Sequence, residues 1–202
     1  MKKITIFGGT FNPIHKAHLS IARALRRKFN PDKILFIPCN IPYHKKYQGL
    51  AAPRHRLKMA RLAIAGIPGL AASDMDIKRG GRTFSIDTIK ALKRKYPSST
   101  EFYFVIGADS LIDLPRWYKI KELVRLCRFI TIARPGYPFD KLARALPFSE
   151  AVLDDIKRLY QSMPKMDVSS TWVRNNIKSG KAIKSLVPRA VENYIKEHKL
   201  YR

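Results

Sequence analysis

The stretch Gly8-Gly9-Thr10-Phe11-Asn12-Pro13-Ile14-His15-Lys16-Ala17-His18 carries the groups best suited to chemistry on a phosphate. His15 and His18 stand three residues apart, which makes them neighbours on one helical turn. Their N–H groups can donate to phosphate oxygens and stabilise charge building up on a phosphorus under attack. Gly8 and Gly9 suit a tight turn, and they also let backbone approach a ligand that a Cβ would hold off. The competing reading is a plain turn followed by two capping or surface histidines. Other phosphate motifs are excluded. No Lys-Ser/Thr follows a G-x-x-x-x-G frame, and G-x-G-x-x-G is absent. Two histidines without a third ligand at a recognisable spacing do not predict a structural zinc.

A second dense signal is Val168-Ser169-Ser170-Thr171-Trp172-Val173-Arg174. Ser169 or Ser170 suits a helix N-cap, with Val173 and Ile177 facing inward. Arg174 falls one turn beyond Ser170. Hydroxyls at a helix start with an arginine one turn along again describe an anion site.

Both signals need elements to hold them. Apolar, β-rich runs at Ile4–Phe7, Lys33–Pro38, Glu101–Gly107 and Phe129–Ala133 predict buried strands, with a weaker one at Ala72–Ile77 and a short one before Ser169. Between them Leu19, Ala22, Leu25 and Phe29 recur at helical spacing, as do Leu57, Ala60, Ile64 and Ile86, Ile89, Leu92. Alternation of this kind predicts an α/β fold. Its form is a Rossmann-like open parallel sheet with helices on both faces, followed by a helical C-terminal portion after about residue 139. Right-handed crossovers then gather the strand C-terminal ends, and with them the site, along one edge. The Pro-rich polar stretch 38–53 reads as a long functional loop. Pro147–Glu150 reads as a helix start, and Pro188 as the first residue of a last helix. With 202 residues and no linker or repeat, residues 1–202 are expected to form one domain.

Composition narrows the class. Hydrophobic content of 46% and a mean hydropathy of -0.24 describe a soluble globule without a spanning segment or signal peptide. Cys39 and Cys127 lack metal-ligand spacing and predict free thiols in a reducing cytoplasm. The net charge of +25 calls for an anionic partner or a solvated basic surface. Its clusters, Arg26-Arg27-Lys28, Lys45-Lys46 and Lys93-Arg94-Lys95, are scattered and form no basic tail or aromatic-interleaved ribbon. Specific nucleic-acid recognition is therefore not expected, whereas nonspecific adhesion at low salt is.

Gly9-Thr10-Phe11-Asn12-Pro13-Ile14-His15-Lys16-Ala17-His18 resembles the first signature of the nucleotidyltransferase superfamily with a T/H-x-G-H-type motif. Ser169-Ser170-Thr171-Trp172-Val173-Arg174 resembles its second, the I-S-S-T-x-I-R type; the pair, in order and about 150 residues apart, is far more specific than either alone. The middle of the chain is similar to bacterial nicotinate-nucleotide adenylyltransferases: Arg82-Thr83-Phe84-Ser85-Ile86-Asp87-Thr88-Ile89, Phe104-Val105-Ile106-Gly107-Ala108-Asp109-Ser110-Leu111, Leu114-Pro115-Arg116-Trp117-Tyr118 and Arg134-Pro135-Gly136-Tyr137. The likeness runs nearly end to end.

That resemblance implies a reaction. ATP and nicotinate mononucleotide give nicotinate adenine dinucleotide and pyrophosphate by direct in-line displacement assisted by Mg2+. It also implies roles. His15, His18 and Arg174 would be catalytic. Gly8, Gly9, Thr10, Phe11, Gly107, Asp109 and Ser170 would join them in binding ATP, Asp109 being equally readable as a helix N-cap. Trp117 would stack on the pyridine ring beside Tyr118, unless the two are simply a buried aromatic pair. Thr83 and Ser85 would orient the ring carboxylate, and His44 and Lys45 would fold over the phosphates or remain surface charges. No protein-held metal, membrane or specific nucleic acid is expected, and a homo-oligomer is compatible. Asn12, Ala17 and Ser85 depart mildly from the family pattern of Asp, Gly and Thr, which touches substrate fit more than reaction class. The rival readings are the same transfer to nicotinamide mononucleotide or another phosphorylated acceptor, and a non-catalytic basic protein that binds nucleic acid.

Overall fold

The computed structural model describes residues 1–43, 49–144, 146–163 and 167–202. Its centre is a parallel sheet built from β1 (Lys3–Gly9), β2 (Lys33–Pro38), β4 (Leu70–Ala72), β6 (Glu101–Gly107), β7 (Arg128–Ile132) and β8 (Tyr160–Gln161). The strand order is β4-β2-β1-β6-β7-β8. β1 and β6 are neighbours in space but far apart in sequence, so the crossover direction reverses between them. That switch point is where an open α/β sheet leaves a crevice. A second, two-stranded parallel ribbon pairs β3 (Ile41–Pro42) with β5 (Arg82–Thr83).

The central strands are apolar on both faces because both faces are covered. Phe7, Phe36, Tyr103 and Ile130 meet α1 (Lys16–Phe29), α2 (Pro53–Ile64), α8 (Ser170–Lys178) and α9 (Arg189–Glu197) on one side. Ile4, Ile6, Phe102 and Phe129 meet α4 (Ser85–Lys95), α5 (Ile120–Leu126) and α7 (Glu150–Arg158) on the other. Each fully covered leucine or isoleucine contributes roughly 1.5–3 kcal/mol. α1 buries Leu19, Ala22 and Leu25 and ends where Asn30 turns left-handed at φ 41. Its last turn carries Arg26, Arg27 and Lys28, and the last turn of α4 carries Lys93, Arg94 and Lys95. Cations at these ends complement the exposed helix carbonyls.

Several expectations need correction. The strand expected at Ala72–Ile77 is only Leu70–Ala72, after which Ser73 and Asp74 break the pattern and α3 (Met75–Arg79) begins. The short strand expected before Ser169 lies earlier, at Tyr160–Gln161, where the backbone reaches β7. The long 38–53 loop is interrupted by β3 and closed by α2, whose first residue is Pro53. Between α5 and α7, α6 (Phe139–Ala143) is short. Pro188 sits one residue before α9 rather than inside it. Among the described residues no helix is long and apolar enough to cross a membrane.

Candidate active site

β1 runs through both glycines, with Gly8 paired to Ile37 and Gly9 to Pro38, so neither forms the turn itself. They are needed for contact. A Cβ on Gly8 would stand 2.9 Å from the Phe104 ring, and one on Gly9 3.1 Å from the Phe11 ring. The turn falls to Phe11, at φ 47. Next to it, Asn12 is buried and fully engaged. Its Oδ1 accepts from Ala51 N (3.0 Å) and Tyr201 Oη (2.8 Å), and its Nδ2 donates to Gly49 O (3.2 Å).

The second signal arrives here from the far end of the chain. Ser169 is the N-cap of α8, accepting from Trp172 N at 3.1 Å. Ser170 Oγ donates to Pro13 O (2.8 Å), and Arg174 Nη1 donates to Asn12 O (2.9 Å). The serine hydroxyl thus gives its proton to Pro13, which leaves the first-turn N–H groups of α8 as its outward donors. Arg174 Nη2 also donates to Thr171 Oγ1 (3.3 Å). A guanidinium has five N–H donors, so others remain available.

His15 N donates to His18 Nδ1 at 3.2 Å, so the proton of the neutral His18 ring is on Nε2. The two rings lie 3.8 Å apart, centre to centre. Burial pulls His15 down to about 4, with the positive charge of Arg134 acting in the same direction. Burial, then His15 and Arg134, hold His18 well below the usual histidine range. At neutral pH both rings are uncharged hydrogen-bond donors. His15 Nδ1 is buried without a hydrogen-bond partner among the described residues.

A cavity of about 420 Å³ opens over the C-terminal ends of β1, β2, β6 and β7. That volume suits a small-molecule site. Gly8, Gly9, Thr10, Phe11 and His18 line one wall, and Ser170 closes it; His15 and Arg174 stand behind, outside the lining. Gly107 and Asp109 form the next wall. Asp109 is not an N-cap: Gly107 holds that position, and Asp109 lies inside the 3-10 turn 108–111, ion-paired to Arg134 at 2.8 Å. A Cβ on Gly107 would collide with that pair. The sequence placed Arg134 in a segment that resembles the family, without a role. Its place just past β7, on the edge where ligands bind, was the available signal.

The remaining wall is aromatic and polar. Trp117 is half-buried and meets Phe104 and Phe129 edge-on at 6.1 and 6.4 Å. Tyr118 is 46% exposed and packs on Phe84 at 4.8 Å, so the two are not a buried pair. Thr83 Oγ1 accepts from Asn40 N at 2.9 Å, which leaves its own proton free to donate. Ser85 opens α4, whose first N–H groups face no helical partner. Asp76, buried, accepts the Thr88 hydroxyl proton, shared between its two carboxylate oxygens, and pairs with Arg79 at 2.7 Å. His44 and Lys45 lie outside the described residues.

Arg56 was not foreseen. It sits in a half-polar stretch of α2 and is fully buried. Its guanidinium donates to Ala51 O, Thr10 O, Cys39 O and Asn40 O at 2.7–2.9 Å, tying the first signature to the end of β2. No motif flagged it, because a lone arginine in a basic helix reads as solvated.

A profile of the cytidylyltransferase-like family matches residues 6–176. A protein from Dehalococcoides mccartyi strain 195, named a probable nicotinate-nucleotide adenylyltransferase, is 41% identical, covering 98% of this chain and 97% of its own. One of the same name from Bacillus pumilus is 40% identical over 100% and 99%. The Plasmodium falciparum nicotinic acid mononucleotide adenylyltransferase, solved with NaAD, shares the fold at a TM-score of 0.75 and 23% identity, covering 100% of this chain and 98% of its own.

Proposed function

Since this chain belongs to the cytidylyltransferase-like family, and within it to the nicotinate-nucleotide adenylyltransferases, we propose that it transfers the adenylyl group of ATP to nicotinate mononucleotide in NAD biosynthesis. An oxygen of the mononucleotide phosphate attacks the α-phosphorus of ATP. The bond from that phosphorus to the bridging β-oxygen breaks, and pyrophosphate leaves with the electron pair. No covalent enzyme intermediate is required. Such a transfer asks for alignment and for donors where charge grows.

One observation carries the reading: two signatures more than 150 residues apart are bonded to each other, Ser170 to Pro13 and Arg174 to Asn12, directly behind a cavity that Thr10, Phe11 and Ser170 line. His18 Nε2–H is the donor for the reacting phosphates. Neutral histidine suits this task, since its Nε2–H can give a hydrogen bond without first taking up a proton from bulk water. His15 sets the His18 tautomer, and its unpartnered Nδ1 is satisfied once a ligand or water enters. Arg174 and the α8 N-terminus face the β- and γ-phosphates. Asp109, fixed by Arg134, meets the adenosine side along with Gly107. Trp117 stacks on the pyridine, with Tyr118 at its edge. The first N–H groups of α4, with Thr83 and Ser85, receive the ring carboxylate. A helix N-terminus favours that anion over a neutral amide.

Mg2+ enters as part of the MgATP substrate. The cavity's carboxylates, Asp76 and Asp109, are each held in an ion pair, and the described residues contain no cluster of three metal ligands. The ion brought by ATP neutralises phosphate charge. The shared sheet supports one domain over 1–202, and the substrates and free thiols fit the cytoplasm.

The test is pyrophosphate release from MgATP with nicotinate mononucleotide and, separately, with nicotinamide mononucleotide. The acid should be preferred by at least tenfold. Equal rates would favour an amidated acceptor, and no turnover with either would end the proposal. His18→Ala should lower kcat by roughly 100-fold, the effect of losing one transition-state donor.

A further inference from the structure

The fold gathers onto one edge charges that the sequence scatters. α1 and α4 lie on opposite faces of the sheet and both run toward the N-terminal ends of the strands. Their final turns bring Arg26-Arg27-Lys28 and Lys93-Arg94-Lys95 to that edge. Lys2 and Lys3 bridge the gap. Lys2 Nζ lies 5.5 Å over the Tyr96 ring, just past the α4 triplet. Lys3 N donates to Asp32 Oδ2 at 2.7 Å, just past the α1 triplet. On the far flank Arg26 reaches the start of β4, where a Cβ on Gly69 would be 3.2 Å from its Nε.

This rim is nearly unopposed. Among the described residues, none of the six triplet side chains forms an ion pair. The carboxylates beside it are Asp32, bound to Lys3 N, and Glu101, bound to Tyr103 Oη. Substrate capture does not account for such a surface. β1 spans seven residues between rim and cavity, about 20 Å, which is more than two Debye lengths at physiological salt. A single cation would suffice to complement each helix end.

We infer that the strand-N-terminal rim is a docking surface for duplex nucleic acid, gripped through its phosphates without regard to sequence. The rim offers cations on both sides of the sheet edge, across several phosphate spacings. Among the described residues it presents no free aromatic face for stacking unpaired bases, since Lys2 covers Tyr96. An acidic membrane is a poorer partner. Of the large exposed apolar side chains among the described residues, only Met1 is at this edge, whereas Ile41, Tyr43, Ile112, Tyr118 and Trp172 follow the strand C-terminal ends or open α8. With the cavity at the opposite edge, the enzyme stays open to its substrates while docked.

The experiment is fluorescence anisotropy with a labelled 20-base-pair duplex of mixed sequence at 150 mM KCl. It compares wild type, a rim variant (Arg27→Glu, Lys28→Glu, Arg94→Glu, Lys95→Glu) and a variant with the same charge change elsewhere (Lys58→Glu, Lys121→Glu, Lys184→Glu, Arg189→Glu). Wild type should bind in the micromolar range, and the rim variant at least 30-fold more weakly. The slope of log affinity against log salt should fall by about 3–4 in the rim variant, near 0.9 per lost phosphate contact. The second variant should lose less than fivefold. Adenylyl transfer by the rim variant should match wild type, which also reports that it is folded. Equal losses in both variants would mean bulk charge and overturn the proposal. So would absence of wild-type binding up to 100 μM, or rim-dependent binding to phosphatidylserine vesicles without duplex binding.

Discussion

Acid should loosen this fold through His15. The ring titrates near ~6.5 in an unfolded chain and at about 4 in the native one. Between those values the unfolded chain takes up a proton that the folded chain refuses. Stability therefore rises with pH across the window, and it is lost as pH falls from about 6.5 toward 4. The full gap corresponds to about 3 kcal/mol, of which roughly 2 kcal/mol is gone by pH 5. His18 is displaced in the same direction and adds to the loss. The assay is urea unfolding at pH 7.5 and pH 5.0, read by tryptophan fluorescence, for wild type and His15→Asn. Wild type should lose about 2 kcal/mol more than the variant over that interval. NMR titration of the ring gives the second reading: His15 should stay neutral to below pH 5 in the free protein and shift upward when ATP supplies negative charge. An unchanged pH slope in His15→Asn, or a free-protein titration at pH 6 or above, would refute the reasoning.

Other outcomes follow from particular contacts. Gly8→Ala should destabilise by about 1–3 kcal/mol, because its methyl meets the Phe104 ring in a packed wall; thermal unfolding reads this directly. Arg56→Met leaves four part-buried carbonyl oxygens without their donor and should cost about 3 kcal/mol in urea unfolding. Arg134→Gln removes a cation that depresses both histidines, so NMR titration should show His15 and His18 moving up toward the ordinary range. Trp117→Ala should raise KM for the mononucleotide more than it lowers kcat in steady-state assays, since stacking is made before and during the transfer.

The strands and main helices were legible because the two coverings of the sheet leave a strong mark: Ile4–Phe7 and Glu101–Gly107 are continuously apolar, and α1 keeps its helical spacing. The Ala72–Ile77 strand misled because Met75 is apolar for a different reason, packing α3 against the core rather than pairing with β2. Most of the cavity wall could be read from motif residues, which sit where strands end. The division of labour within it could not. Asp109 carries the same sequence signal whether it caps a helix or pairs with Arg134, and Ser170 whether it donates to phosphate or to Pro13. Arg56 was invisible because Ala51 alone of its partners is near it in the chain, while the carbonyls of Thr10, Cys39 and Asn40 reach it from distant segments. The placing of the basic triplets could not be read either, since only the topology reveals that α1 and α4, on opposite faces, end at the same edge of the sheet.

The hydrogen bond from Tyr201 to Asn12 has a consequence for biosynthesis. A ribosome delivers the glycine-rich turn 189 residues before the phenol that closes on it. Until that phenol emerges the amide of Asn12 lacks one of its bonds, and until α8 emerges Arg174 has yet to reach the neighbouring carbonyl. The nascent polypeptide can thus lay down β1, β2 and β6 before the turn is tied, and a fragment halted short of α8 lacks the Ser170 and Arg174 bonds to it altogether.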